Sequence, residues 1–231
     1  MNESFKRIAF DIVDLQKNPI ENIYYFPNED NILEGTALII GPENTPYQYG
    51  NYIFEFYFPT EYPYKPPKVI YKSNDGKTRF NPNFYRNGKV CLSILNTWSG
   101  DQWSACQTIR SVLLTLQTTM NEMPLLNEPG VTISNKLCIL KYNQIIEYKN
   151  IEVTILNYIK DIENIPVKNN ELTKIIIEKF QENKDKIMDN IINFMNKYSK
   201  SVYVELYIYD LKCMLYYNIL HKTLLTIINK N

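Results

Sequence analysis

RFNPNFYRNGKVCLSILNTW, residues 79–98, is the stretch on which the reading of this chain turns. It sets an amide side chain, Asn83, eight residues ahead of a thiol, Cys91, with the turn-former Gly88 between them. The residues alone leave Cys91 open to two readings. Free cysteine is among the most buried residue types and is usually inert core. As a thiolate it is a nucleophile. The Leu-Ser-Ile that follows does not choose between them. Upstream, FPTEYPYKPPKVIY (residues 58–71) carries Pro59, Pro63, Pro66 and Pro67. Proline cannot donate to a strand ladder, so this stretch predicts a stiff loop between two β segments that holds Tyr64 outward.

Short elements surround these two segments. Phe5, Ile8, Ala9, Ile12 and Leu15 share one face at helical spacing, with Asn2 or Ser4 as cap and Asn18-Pro19 as stop. Strands are predicted at residues 22–26, 34–40, 52–58 and 68–72. In the third, Tyr52, Phe54, Phe56 and Phe58 point one way and Glu55 the other. Separations of a few residues suit an antiparallel meander. A helix over about residues 108–122 puts Ile109, Val112, Leu113, Leu116 and Met120 inward, and Leu114 falls off that stripe.

Composition changes near residue 130. All seven glycines, eleven of the twelve prolines and both tryptophans lie at or before Gly130. Gly and Pro punctuate turns, so residues 1–130 read as a turn-rich core and 131–231 as a helical extension. Three helices are predicted there. One covers 137–162. A second, capped by Asn170, carries Leu172, Ile175, Ile176, Ile187, Ile191, Ile192 and Met195. The third, over about 202–229, places Val204, Ile208, Leu211, Leu215 and Ile219 on one face, although its start, VYVELYIYD, also alternates like a strand. Helices so apolar on one side need a surface to bury against, and the core is the expected one.

Bulk properties narrow the function classes. The 231 residues balance 25 Lys+Arg against 25 Asp+Glu, which lacks the basic excess of an electrostatically driven nucleic-acid binder. A 45% hydrophobic content excludes disorder throughout. Four scattered cysteines without a CxxC pair argue against a disulfide scaffold or zinc cluster and fit a reducing compartment. Cys106, Cys138 and Cys213 carry no motif and read as structural. The single histidine, His221, excludes any site that needs two imidazoles, and a Ser-His-Asp triad built on it has no supporting motif. Residues 2–7 lack the approach to an apolar signal segment. The most apolar long stretch, 202–228, is broken by Glu205, Asp210, Lys212 and Lys222. Neither a signal peptide nor a membrane span is expected, and the chain reads as soluble and intracellular.

The order helix, four strands, proline-stiffened loop, N-P-N, a cysteine eight residues on, a tryptophan and a helix resembles the ubiquitin-conjugating enzyme (E2) family. The likeness runs from about Lys6 to Gly130. It is carried by GPENTPYQYGNYIFEFYFPTEYPYKPPKV, NPNFYRNGKVCLSIL and WSACQTIRSVLLTLQ. Within the family the chain is most similar to the Z-type branch, through RFNPNFYRNGKVCLSILNTW followed by NEPG. The fold this implies is α+β: a UBC-like core of N-terminal helix, four-stranded antiparallel meander, active-site loop and further helix, then a mostly α-helical extension.

The resemblance also implies a chemistry. Cys91 would accept ubiquitin from an activating enzyme as a thioester and pass it to a substrate lysine or a ligase cysteine, without a metal or organic cofactor. Asn83 matches the family asparagine that donates to the oxyanion or braces its loop. Asn81 stands where most members carry His, which puts that histidine's structural hydrogen bonds in question. Ser93 stands where many carry Asp. Glu128 matches an acidic gate over the site. Lys6 and Arg7 match positions that meet the activating enzyme, with a solvated helix face as the plain alternative. Tyr64 and Ser104 match ligase-binding loops, and Leu114 matches the helix face that holds donor ubiquitin. A monomer, working in the cytoplasm or nucleus of its own or a host cell, is expected. Two alternatives accompany this reading: the same chemistry with another ubiquitin-like modifier, and a non-catalytic scaffold of the same fold.

Overall fold

Helix α1 (Glu3–Lys17) begins the computed structural model, which describes residues 3–198 and 201–229. Ser4 lies inside the helix rather than capping it, and Asn2 lies outside the described residues. The inward face is rotated from the predicted stripe. Ser4, Ile8 and Asp11 are buried, whereas Phe5 is 38% exposed. The reason is polar. The Asp11 carboxylate accepts the Tyr62 hydroxyl at 2.5 Å, the Ile109 N–H at 3.2 Å and Arg7 Nε at 3.0 Å, and a buried charge is tolerated when paired in this way.

Four strands follow: β1 (Ile23–Pro27), β2 (Glu34–Ile40), β3 (Asn51–Tyr57) and β4 (Lys68–Tyr71), antiparallel in the order β1-β2-β3-β4. Tyr52, Phe54, Phe56 and Phe58 are buried in one cluster with Ile109, Val112, Leu113 and Leu116 of α2 (Ile109–Thr119). Helix α2 starts in a capping box, with Thr108 Oγ1 accepting the Ser111 N–H and Ser111 Oγ accepting the Thr108 N–H. The other face of the sheet, where Glu55 pairs with Lys72 at 3.2 Å, is not left to solvent. There Phe26, Leu38, Ile40 and Ile53 pack against Tyr158, Ile165, Leu172 and Ile176 from the C-terminal part. Each such burial stabilises by about 1.5–3 kcal/mol.

The connection between the two parts is a π turn. Helix α3 (Lys136–Lys149) runs through Asn150–Leu156 in π geometry into α4 (Asn157–Lys160). At that turn Tyr52 donates to Asn150 Oδ1 at 2.6 Å, and Asn51 Nδ2 donates to the Thr154 carbonyl at 2.8 Å. Gly50 makes the approach possible, because a Cβ there would lie 1.8 Å from Asn150 Oδ1.

Helix α5 (Asn170–Lys197) is capped by Asn169, one residue earlier than predicted, because its Oδ1 reaches the Leu172 N–H at 2.9 Å. It buries Leu172, Ile176, Phe180, Ile187 and Ile191, while Ile192 and Met195 stay exposed. The predicted third helix is corrected by the structure. Residues 202–215 form an antiparallel hairpin, β5 (Val202–Leu206) with β6 (Leu211–Leu215), and only α6 (Tyr217–Ile228) is helical. Alternation prevails because pairing the two strands buries Val204, Leu206, Leu211, Cys213 and Leu215 together, whereas Ile219 is 51% exposed. The turn places Tyr209 and Asp210 at φ 65 and 47. Among the described residues no helix is long and apolar enough to cross a membrane.

Candidate active site

The stretch around the thiol folds as a tight loop pinned to β4. Phe84 bridges to both Asn81 and Val90, and Lys89 bridges to Ile70. Gly88, at φ +87, closes the turn by donating to the Tyr85 carbonyl at 2.9 Å. A Cβ there would press Ile70 and the Tyr71 carbonyl at 3.0 Å. This turn doubles the chain back so that Asn83 and Cys91 face each other. The Cys91 N–H donates to the Asn83 carbonyl at 2.9 Å, and Asn83 Nδ2 donates to the Cys91 carbonyl at 2.7 Å. Asn83 Oδ1 is buried without a hydrogen-bond partner.

Cys91 is 3% exposed. Its thiol donates to the Thr97 carbonyl at 3.1 Å and stands 3.8 Å from the Tyr85 hydroxyl. Thr97 Oγ1 accepts the Leu92 N–H at 2.9 Å and lies 2.9 Å from the Val90 carbonyl, which clasps the chain on both sides of Cys91. Asn81 is fully buried. Its Nδ2 donates to Tyr47 Oη and to the Thr119 carbonyl, both at 2.8 Å, and its Oδ1 accepts the Asn83 N–H at 2.9 Å.

Glu128 follows a short 3-10 turn, Pro124–Asn127, and its Oε2 accepts the Tyr209 hydroxyl. Tyr209 sits in the turn of the β5–β6 hairpin, and Arg86 donates to its carbonyl. The Arg79 guanidinium lies 5.0 Å from the Tyr209 ring centre and 3.3 Å from that of Tyr85. One line of contacts therefore runs from Glu128 through Tyr209, Arg79 and Tyr85 to Cys91. Burial, and then the neighbouring Glu128 carboxylate, push the Tyr209 hydroxyl well above its ordinary value, so it remains a proton donor at neutral pH.

The other predicted residues are placed differently. Lys6 is exposed, but Arg7 is not a solvated residue. Its guanidinium pairs with Asp11 and donates to the Ala105 and Gln107 carbonyls at 2.8 and 2.6 Å, bracing the loop that carries Ser104. Trp103 Nε1 donates to the Pro63 carbonyl at 2.6 Å, tying that loop to the proline loop. Tyr64 and Ser104 thus stand exposed on adjoining loops, with Tyr64 67% exposed and donating to Glu3 at 3.0 Å. Leu114 is 39% exposed. Cys106, read as structural, is exposed, whereas Cys213 is buried and burial pushes its thiol up. Among the described residues no three His, Cys, Asp or Glu side chains form a group suited to a metal.

A family profile described as ubiquitin-conjugating enzyme matches residues 7–148. The chain belongs to the ubiquitin-conjugating enzyme family. It is 42% identical over 156 residues to ubiquitin-conjugating enzyme E2 Z of Xenopus tropicalis, covering 67% of this chain and 50% of the frog protein. With the human E2 Z it shares 43% identity over 151 residues, covering 64% of this chain and 43% of that protein. A probable ubiquitin-conjugating enzyme of Acanthamoeba polyphaga mimivirus is 34% identical over 175 residues, 69% of this chain and 12% of the viral protein. The chain thus spans half or less of these relatives' lengths.

Within the conjugating-enzyme core, Asn81 answers the question raised by the missing histidine, since its three hydrogen bonds hold the loop from below. The family match ends at Tyr148, so Tyr209 reaches Glu128 from outside it. Nothing in the sequence signalled Tyr209, which lies 81 residues beyond Glu128. Arg79, Tyr85 and Thr97 lie inside the quoted stretch, but their types alone gave no sign of their contacts.

Proposed function

We propose that this chain is a ubiquitin-conjugating enzyme that carries its modifier as a thioester on Cys91. The observation that carries the reading is the reciprocal pair of hydrogen bonds between Cys91 and Asn83, inside the family-matched region. In the first step the Cys91 sulfur attacks the thioester carbonyl of an activating enzyme. A new C–S bond forms, the old one breaks, and the Cys91 proton ends on the departing thiolate. The thiol gives up its hydrogen bond to the Thr97 carbonyl in doing so. In the second step an uncharged lysine amine attacks the carbonyl of the Cys91 thioester, a C–N bond forms, the C–S bond breaks, and the sulfur leaves as thiolate. Glu128 is the carboxylate suited to orient the amine and take its surplus proton. Asn83 has one amide hydrogen on the Cys91 carbonyl, and its second is available to the oxyanion.

The modifier is ubiquitin or a ubiquitin-like protein. The proposed partner surfaces are Lys6 and Arg7 for the activating enzyme, Tyr64 and Ser104 for a ligase, and Leu114 for the bound donor. The test is a loading reaction with activating enzyme, ATP and ubiquitin, resolved without reductant. A reductant-sensitive band of one added modifier, lost in a folded Cys91→Ala variant, supports the reading. No band with ubiquitin or any ubiquitin-like modifier, using activating enzymes proven on other conjugating enzymes, overturns it in favour of a binding scaffold.

A further inference from the structure

Three cations surround Tyr85, the ring beside the thiol. Arg79 lies over it at 3.3 Å, Lys89 Nζ stands 5.5 Å from its centre, and Arg86 is its neighbour in the chain. The sequence has only four arginines. The other two each grip a carboxylate, Arg7 with Asp11 at 3.0 Å and Arg110 with Asp14 at 2.7 Å. Among the described residues, Arg79, Arg86 and Lys89 form no ion pair. Arg79 donates to the Asn81 and Pro82 carbonyls at 3.1 and 2.6 Å, and Arg86 donates to the Tyr209 carbonyl. Glu128 faces the same hairpin turn but is engaged by the Tyr209 hydroxyl. Arg86 Nε is buried without a hydrogen-bond partner.

These groups border an open pocket. A cavity of about 280 Å³ is lined by Arg79, Tyr85, Arg86, Asn87 and Tyr209. An exposed arginine needs no partner, because water serves. Two guanidinium groups that line one pocket and form no ion pair hold a positive potential there, which draws an anion. A planar carboxylate is the acceptor that a guanidinium fork matches best. Tyr85 lines this cavity and also meets Cys91, with its hydroxyl 3.8 Å from the thiol and the Arg79 guanidinium over its ring.

We propose that this cavity receives a carboxylate side chain standing next to the acceptor lysine of the protein substrate, so that lysines with an acidic neighbour are selected. The inference rests on the thioester reading of Cys91 and adds the substrate class. While the lysine amine approaches the sulfur, the adjacent Asp or Glu enters the cavity against Arg86 and Arg79. Arg86 and Arg79 supply the two positive charges that the carboxylate meets.

The test compares acceptor peptides carrying Glu or Gln at each of the two positions on either side of one lysine. With loaded enzyme, Glu at one position should raise kcat/KM about tenfold over Gln, mainly through KM, with the ratio falling as salt rises. Arg86→Gln should bring the ratio toward one, and Arg86→Lys should retain part of it. A wild-type ratio near one at every position, or a ratio unchanged in Arg86→Gln, overturns the proposal. A second arm needs no thioester: anisotropy of the labelled Glu and Gln peptides with unloaded Cys91→Ala protein. If no modifier loads, tighter Arg86-dependent binding of the Glu peptide still upholds the cavity while the transfer reading fails. Equal binding of the two peptides there overturns the cavity.

Discussion

Replacing Gly50 with alanine tests how the C-terminal part is joined to the core. Gly50 has no left-handed φ, so on backbone grounds the change would stabilise the chain by about 0.4–1 kcal/mol through the unfolded state. The surroundings reverse that sign. The new methyl would lie 1.8 Å from Asn150 Oδ1 and 2.5 Å from Thr154 Oγ1. Neither can simply turn away, since both residues are buried. Asn150 Oδ1 accepts from Tyr52 at 2.6 Å and Thr154 at 2.8 Å, while its Nδ2 donates to the Gln48 carbonyl at 2.9 Å. The amide would have to withdraw by well over an ångström. Overpacking costs about 1–3 kcal/mol, and leaving the buried Tyr52 hydroxyl unpaired costs about 1–3 kcal/mol more. A net loss of about 3 kcal/mol is expected, read as a lowered urea midpoint. Asn150→Ala should also destabilise, but in that background Gly50→Ala should cost far less, because its methyl enters the vacated space. A coupling of about 2 kcal/mol is the expected signature of contact. If Gly50→Ala is neutral or stabilising, or if the two changes add, the π turn does not dock on β3 as described.

Further outcomes concern the site and its supports. Asn83→Ala should slow lysine discharge by about 10²–10³ while loading largely persists; equal loss of both would leave Asn83 only the bracing role. Tyr209→Phe keeps the ring but frees Glu128, and discharge should fall about tenfold, the scale of one charged hydrogen bond. Equal or faster discharge would mean that Tyr209 restrains the gate. Burial pushes the Glu147 carboxyl from an ordinary 4.5 up to about 7, with Lys197 opposing. The folded protein then keeps a proton that the unfolded chain has lost. Stability should therefore fall as pH rises from about 4.5 to 7, by up to about 3 kcal/mol, and Glu147→Gln should flatten that slope in melting curves.

The sequence by itself determined what depends on neighbouring residues. Alternation in residues 52–58 gave β3 and its buried aromatic face, the prolines gave the loop that exposes Tyr64, and the resemblance of residues 79–98 to the conjugating-enzyme family singled out Asn83 and Cys91. Helix α2, with Leu114 off its stripe, was legible for the same reason. In 202–210 both a helical and a strand pattern fitted the residues, Leu211 and Leu215 read as a helix face, and only the partner strand selected the hairpin. The second apolar face of the sheet was hidden because Ile53 and Leu38 gain their cover from Tyr158 and Leu172, far along the chain. The same holds for Tyr209 on Glu128 and for the unpaired arginines beside Tyr85. Periodicity and turn chemistry act within a few residues and can be read from the chain. Which faces meet, and which charges are left without partners, is set by packing between elements whose separation in sequence carries no local signal.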